Sequence, residues 1–147
     1  MRLNIADTLT VNGDILAKGG LSSSYQNGAG GSISIRANMI SGQGTINADG
    51  GNYNSSTQCG GSGGRIALLN YTMLTGAFEL SEIANAAWGV RAAGGTGHSN
   101  RTGAAGTLFL KGKSASHGTL VVDNCDRYGQ NHTFTTLPSF PSDPITD

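Results

Sequence analysis

Gly13-Asp14-Ile15-Leu16-Ala17-Lys18-Gly19-Gly20 and Gly44-Thr45-Ile46-Asn47-Ala48-Asp49-Gly50-Gly51 are one unit written twice, with the glycines, the isoleucine and the alanine in step at an offset of 31 residues. In each copy the apolar pair, Ile15/Ala17 or Ile46/Ala48, alternates with its neighbours. That is the period of a strand with one face turned inward. Gly118-Thr119-Leu120-Val121-Val122-Asp123-Asn124 is a weaker echo. A second unit recurs as Gly30-Gly31-Ser32-Ile33-Ser34-Ile35, as Gly63-Gly64-Arg65-Ile66-Ala67-Leu68, and as Ala105-Gly106-Thr107-Leu108-Phe109-Leu110.

The two units alternate. Leu3/Ile5 leads to Ile15/Ala17, Ile33/Ile35 to Ile46/Ala48, Ile66/Leu68 to Phe78/Leu80, and Leu108/Leu110 to Leu120/Val122. A further short apolar segment lies between the first three of these sets: Leu9/Val11, Ile40 and Met73/Leu74. Spacings this short leave corners of two or three residues, too tight for hairpins that keep the alternation. They suit a chain wound round a prism with like residues stacked on like. The expectation is an all-β, right-handed parallel β-helix (β-solenoid) of about four coils with glycine-rich loop excursions. Its handedness follows the general crossover preference. The competing arrangement is an antiparallel β-sandwich with glycine-rich hairpins.

Polar excursions at residues 18–31, 49–64 and 81–106 join the coils. They leave one corner of the prism, so a shared loop surface is the expected seat of function. Within the third, Ser81 to Trp88 reads as one or two helical turns. Residues 1–137 form a single domain, and Pro138, Pro141 and Pro144 mark 138–147 as a tail or linker. Strand pattern begins almost at once, without a cap or the apolar core of a signal peptide, so the chain reads as a module of a longer surface protein. Open coil ends invite self-association.

Composition narrows the partners. Of 147 residues, 24 are glycine and 12% are charged, with nine basic and nine acidic side chains. The sequence holds no run of lysine or arginine, which argues against nucleic acid. Nor is any apolar run long enough to span a bilayer. Cys59 and Cys125 sit in polar, glycine-rich surroundings, where a disulfide of an oxidising compartment is expected. Four Asn-x-Ser/Thr triplets, at Asn54, Asn70, Asn100 and Asn131, arise readily by chance in such a composition.

The blocks Gly60-Gly61-Ser62-Gly63-Gly64-Arg65-Ile66-Ala67, Gly103-Ala104-Ala105-Gly106-Thr107-Leu108-Phe109-Leu110 and Gly118 to Asn124 resemble glycine-rich repeats of large secreted microbial surface proteins. The likeness covers roughly residues 3 to 124. It implies a secreted or cell-surface setting and a β-helical or related all-β fold, and brings no catalytic set with it.

No constellation argues for catalysis. Glycosidases need two facing carboxylates, but Asp14, Asp49, Glu79, Glu82, Asp123 and Asp126 are dispersed. Asp49 and Asp123 fall at matching corners, where aspartate ordinarily caps a turn through local bonds. No cofactor is expected. Calcium held by corner aspartates and glycine carbonyls is the one metal site the pattern allows. His98, His117 and His132 lack the spacing of zinc ligands. The glycine runs precede strands rather than helices, so they are not phosphate cradles.

Four aromatics, Tyr25, Tyr53, Trp88 and Tyr128, lie in the excursions and their continuation, while inward positions are aliphatic. Aligned on one face, they would make a strip for stacking sugar rings. The reading is therefore a non-enzymatic extracellular structural or adhesive module that binds surface carbohydrate or protein through these aromatics. The alternatives are a carbohydrate-active enzyme domain (polysaccharide lyase or hydrolase), an ice-binding face, or a pure structural spacer.

Overall fold

The computed structural model describes residues 1–22, 26–53, 59–84, 89–127 and 135. Eleven strands lie in three sheets among these residues. β1 (Arg2–Asn4), β4 (Ser32–Arg36), β7 (Arg65–Tyr71), β10 (Thr107–Gly112) and β11 (Thr119–Val121) form sheet one, in that order. β2 (Thr8–Thr10), β5 (Met39–Ser41) and β8 (Met73–Leu74) form sheet two. β3 (Asp14–Leu16), β6 (Thr45–Asn47) and β9 (Val90–Arg91) form sheet three.

Register follows the apolar pairs. Ile15 faces Ile46, which faces Val90; Leu9 faces Ile40, which faces Leu74. In sheet one, Ile35 stands between Leu3 and Leu68, and Leu68 meets Leu110. Branched residues on alternate positions suit a half-buried pleated surface. The stacks meet inside: Ile35, Ile40, Ile46 and Leu68 are 0% exposed, whereas Leu3, Leu9 and Ile15 in the first layer are only partly buried. Each fully buried isoleucine contributes roughly 1.5–3 kcal/mol of transfer free energy.

The expected right-handed parallel β-helix of four coils is not the fold. Parallel and antiparallel pairing are mixed in sheet one: β11 pairs antiparallel with β10, with Phe109 opposite Leu120, while the other pairings are parallel. Residues 113–118 between them suffice for a hairpin, whereas a parallel return needs a crossover of about a dozen residues or more. The strands are short, from two to seven residues. The third set also departs from the pattern. Phe78, expected in a strand with Leu80, sits fully buried in a 3-10 turn (Gly76–Phe78), and Leu80 opens a short helix, α1 (Leu80–Ala84). Val90–Arg91 takes the place in sheet three instead. Among the described residues no helix is long and apolar enough to cross a membrane. The tail from residue 138 lies outside the described residues.

The glycine excursions are packed backbone. Their limbs bond one to the next: Gly28 N–H to Gly20 O (2.9 Å), Gly51 to Gly28 (2.9 Å), Gly61 to Gly51 (3.0 Å), Gly95 to Gly61 (2.7 Å) and Gly103 to Gly95 (2.9 Å). A Cβ at Gly61 would collide with the Gly28 carbonyl, one at Gly95 with that of Gly51, and one at Gly103 with that of Gly61. Glycines recur here at three-residue steps, as in Gly28/Gly31, Gly60/Gly63, Gly94/Gly97 and Gly103/Gly106. Three residues per turn is the period of an extended helix that bonds only to its neighbours. Glycine is needed because the backbones touch.

Candidate functional site

Sheet one presents its even-numbered positions outward on β1 and β4 and its odd-numbered ones on β7 and β10, leaving the buried aliphatics behind. Its outer face gathers side chains distant in sequence. One row across the strands reads Asn4, Arg36, Leu69, Lys111; the next reads Arg2, Ser34, Ala67, Phe109, Leu120; a third reads Ser32, Arg65, Thr107. Lys113 follows β10, its N–H bonded to Tyr71 O at 2.8 Å. Five of the nine basic side chains thus stand on or beside one sheet, and no strand of that sheet carries an acid. Arg2, Arg36, Arg65 and Lys113 are exposed. Both ion pairs found among the described residues lie elsewhere, at Asp49.

Cavities border this face. One of about 530 Å³ runs between Arg2, Asn4 and Arg36. A second of about 420 Å³ continues past Arg36 to Asn38, Asn70 and Lys113. Ile5 and Ala6 line both. A groove of about 410 Å³ lies where Arg65, Ser32 and Thr107 meet the glycine layer, with Thr135 at its wall. The Thr135 hydroxyl donates to Ala105 O at 2.6 Å. Sequence reading missed this cluster because the cations are spread over four strands and the residue just after β10. The signal was available only as register: the offsets of 32, 33 and 42 residues that align the aliphatic residues of sheet one also align these positions.

Of the four aromatics expected to form a strip, Tyr53 is described. It is 43% exposed, with its ring edge-on to His98 at 6.1 Å and 70°. Its N–H bonds Thr96 O at 2.8 Å, and Thr96 N–H bonds Asn52 Oδ1 at 2.9 Å, so the ring sits where two excursions meet. Tyr25, Trp88 and Tyr128 lie outside the described residues.

Cys59 and Cys125, the expected disulfide, are two free thiols, each partly buried. Cys59 O accepts from Asn27 Nδ2 at 2.9 Å. Cys125 sits in the left-handed region (φ 52°), with its N–H on Asp123 Oδ1 at 2.7 Å. Burial is the main cause that pushes its thiol up from the ordinary value, against the fields of Arg91 and Arg127.

The two corner aspartates differ. Asp123 makes the local turn bond just described. Asp49 is 2% exposed and takes the guanidinium of Arg91, with Arg127 Nη2 at 3.7 Å from the same oxygen. Its Oδ1 accepts Ala93 N–H at 2.8 Å. Burial disfavours the Arg91 cation, but the bond and charge of Asp49 outweigh it and hold its pKa above the ordinary value. Arg127 Nη1 also donates to Gly94 O at 2.5 Å, and Asn124 Nδ2 bonds Gly103 O at 3.2 Å and Arg127 O at 3.0 Å. This network clamps the glycine layer to sheet three.

His98 Nδ1 and His117 Nδ1 each bond the neighbouring serine hydroxyl, at 2.8 and 2.9 Å, and His132 lies outside the described residues. No group of three His, Cys, Asp or Glu side chains converges to hold a metal among the described residues. Comparison with protein families, curated proteins and solved structures finds no match.

Proposed function

We propose that the chain is a non-catalytic adhesive module that holds surface carbohydrate on the outer face of sheet one. The single observation that carries this reading is the convergence of four basic side chains, with asparagine, serine and threonine between them, on one sheet face whose strands carry no acid, and a fifth, Lys113, beside it. Sugar hydroxyls need donors and acceptors on a firm support, and strands supply a more fixed support than loops. The floor of the face is small, with Ser34 and Ala67 at its middle, so an extended chain can lie against it. The proposed setting is outside the cell, in keeping with the low charge and high glycine content.

A glycan-array screen of the purified chain, with calcium and then with chelator, tests the reading. Saturable binding to a defined sugar class, lost in the double variant Arg36→Ala/Arg65→Ala and kept in Tyr53→Ala, is the expected result. Loss with Tyr53→Ala alone would move the site to the excursions. Silence under both conditions would leave a structural spacer or a protein-binding module.

A further inference from the structure

Resting on that reading, we infer that the carbohydrate is acidic and that Arg36 anchors its carboxylate or sulfate group. Arg36 is the only side chain of the face that lines both cavities beside it, one shared with Arg2 and Asn4, the other with Asn70 and Lys113. Three cations and three amides surround this double pocket, and no acid among the described residues lines it. Asp7 is the nearest carboxylate joined to it by a bond, through Asn38 Nδ2 at 3.5 Å; Asn38 Oδ1 is taken by the Thr72 hydroxyl at 3.1 Å. A guanidinium presents a planar fork that matches two oxygens of a carboxylate or sulfate, which an ammonium cannot do. The exposed Arg36 keeps that fork in water, ready to exchange solvent for such a group.

Charge spacing points to an acidic glycan. Arg36 and Lys111 share a row with Leu69 between them, so their strands lie two strand widths apart, about 10 Å. That distance is comparable with two pyranose rings, the repeat of a polysaccharide charged on alternate sugars. Duplex DNA carries a charge about every 1.7 Å of its axis, so cations this sparse would neutralise few phosphates. Single strands are held largely by base stacking on aromatic platforms, whereas the central row of this face offers one ring, Phe109.

Calorimetric titration of the whole chain tests this with four probes: hyaluronan, κ-carrageenan, neutral dextran and an oligo-dT strand, each at about 50 and 200 mM salt. Hyaluronan or κ-carrageenan should bind, more weakly at the higher salt, and dextran should not. Hyaluronan carries carboxylates alone and κ-carrageenan sulfates alone, each one per two sugars, so the two acidic probes separate carboxylate from sulfate recognition. Arg36→Ala should weaken binding about tenfold or more, with Arg36→Lys restoring part of it, because a point charge replaces half of the fork's role. Lys18→Ala, at an exposed site off sheet one, should bind as the parent does, and all three variants should unfold at the parent's denaturant midpoint. Equal binding of dextran with no effect of Arg36→Ala would overturn the inference while leaving carbohydrate binding intact. Oligo-dT binding as tight as that of the acidic glycans, with the same dependence on Arg36, would overturn the choice of glycan. Binding to no probe would overturn the inference, and failure on the array as well would remove the reading beneath it.

Discussion

Asp49→Asn isolates what the buried carboxylate does. The amide keeps the side-chain shape and an Oδ1 that can still accept Ala93 N–H, now at 2.8 Å. What vanishes is the charge facing Arg91 and Arg127, whose side chains are 24% and 19% exposed. Removing one partner of a fully buried pair costs about 3–5 kcal/mol, because a charge is left uncompensated. Here both guanidinium groups retain some contact with water, which screens them and lowers the cost to about 2–3 kcal/mol. Against a total stability of about 5–15 kcal/mol, that is a large fraction.

Urea unfolding followed by circular dichroism reads the loss as a fall in midpoint at unchanged slope. The double variant Asp49→Asn/Arg91→Met supplies the control, since it removes the orphaned guanidinium as well. Its loss should be smaller than the sum of the two single losses by about 1 kcal/mol or more, as groups in direct contact couple. A loss below about 1 kcal/mol for Asp49→Asn, or strict additivity in the cycle, would refute the view that this cluster clamps the glycine layer.

Three further outcomes follow from the same structure. Gly61→Ala or Gly103→Ala should destabilise by several kcal/mol or prevent folding, because backbone occupies the Cβ position, whereas Gly20→Ala, with nothing within 4 Å, should be neutral or gain about 0.4–1 kcal/mol; thermal melts compare them. Ile46→Ala, at a 0% exposed site, should cost about 2–5 kcal/mol and Ile15→Ala clearly less, since its layer is only partly buried. Burial raises the Cys125 thiol and the Tyr71 phenol, so the folded state holds those protons more tightly than the unfolded chain. Stability should therefore be complete below the ordinary thiol range and fall as pH rises through the raised values, with Cys125→Ser flattening the first part of the fall in a pH series of unfolding midpoints.

The residues that meet across the ladders were legible because register and repeat are one quantity: Ser34 opposite Ala67 and Ile15 opposite Ile46 follow from offsets visible in the chain. The departures have local causes. An apolar pair as short as Phe78/Leu80 satisfies a buried helical turn as well as a strand, and periodicity cannot separate them. There Gly76 takes φ 68° and the chain turns instead of extending. Leu120 and Val122 carry the alternation of a strand but no information about its direction, which the short link after β10 decides. The Asp49 network was not legible, since Arg91 and Arg127 lie 42 and 78 positions further along, in segments with no repeat to align them.

The glycine layer changes where function should be sought. Long polar excursions usually read as adaptable loops, and adaptable loops are where binding residues collect. Here each limb spends its backbone groups on the next limb, and contact is so close that a methyl group does not fit. Such segments have few side chains to offer a ligand and little freedom to rearrange. The broad surface left to carry recognition is the outer side of sheet one, where strands 32, 33 and 42 residues apart in sequence deliver Arg2, Arg36, Arg65 and Lys111 to a common face. A cation cluster assembled by register leaves no basic run in the sequence. The lack of such a run is therefore weak ground for excluding anionic partners in a chain built from repeats.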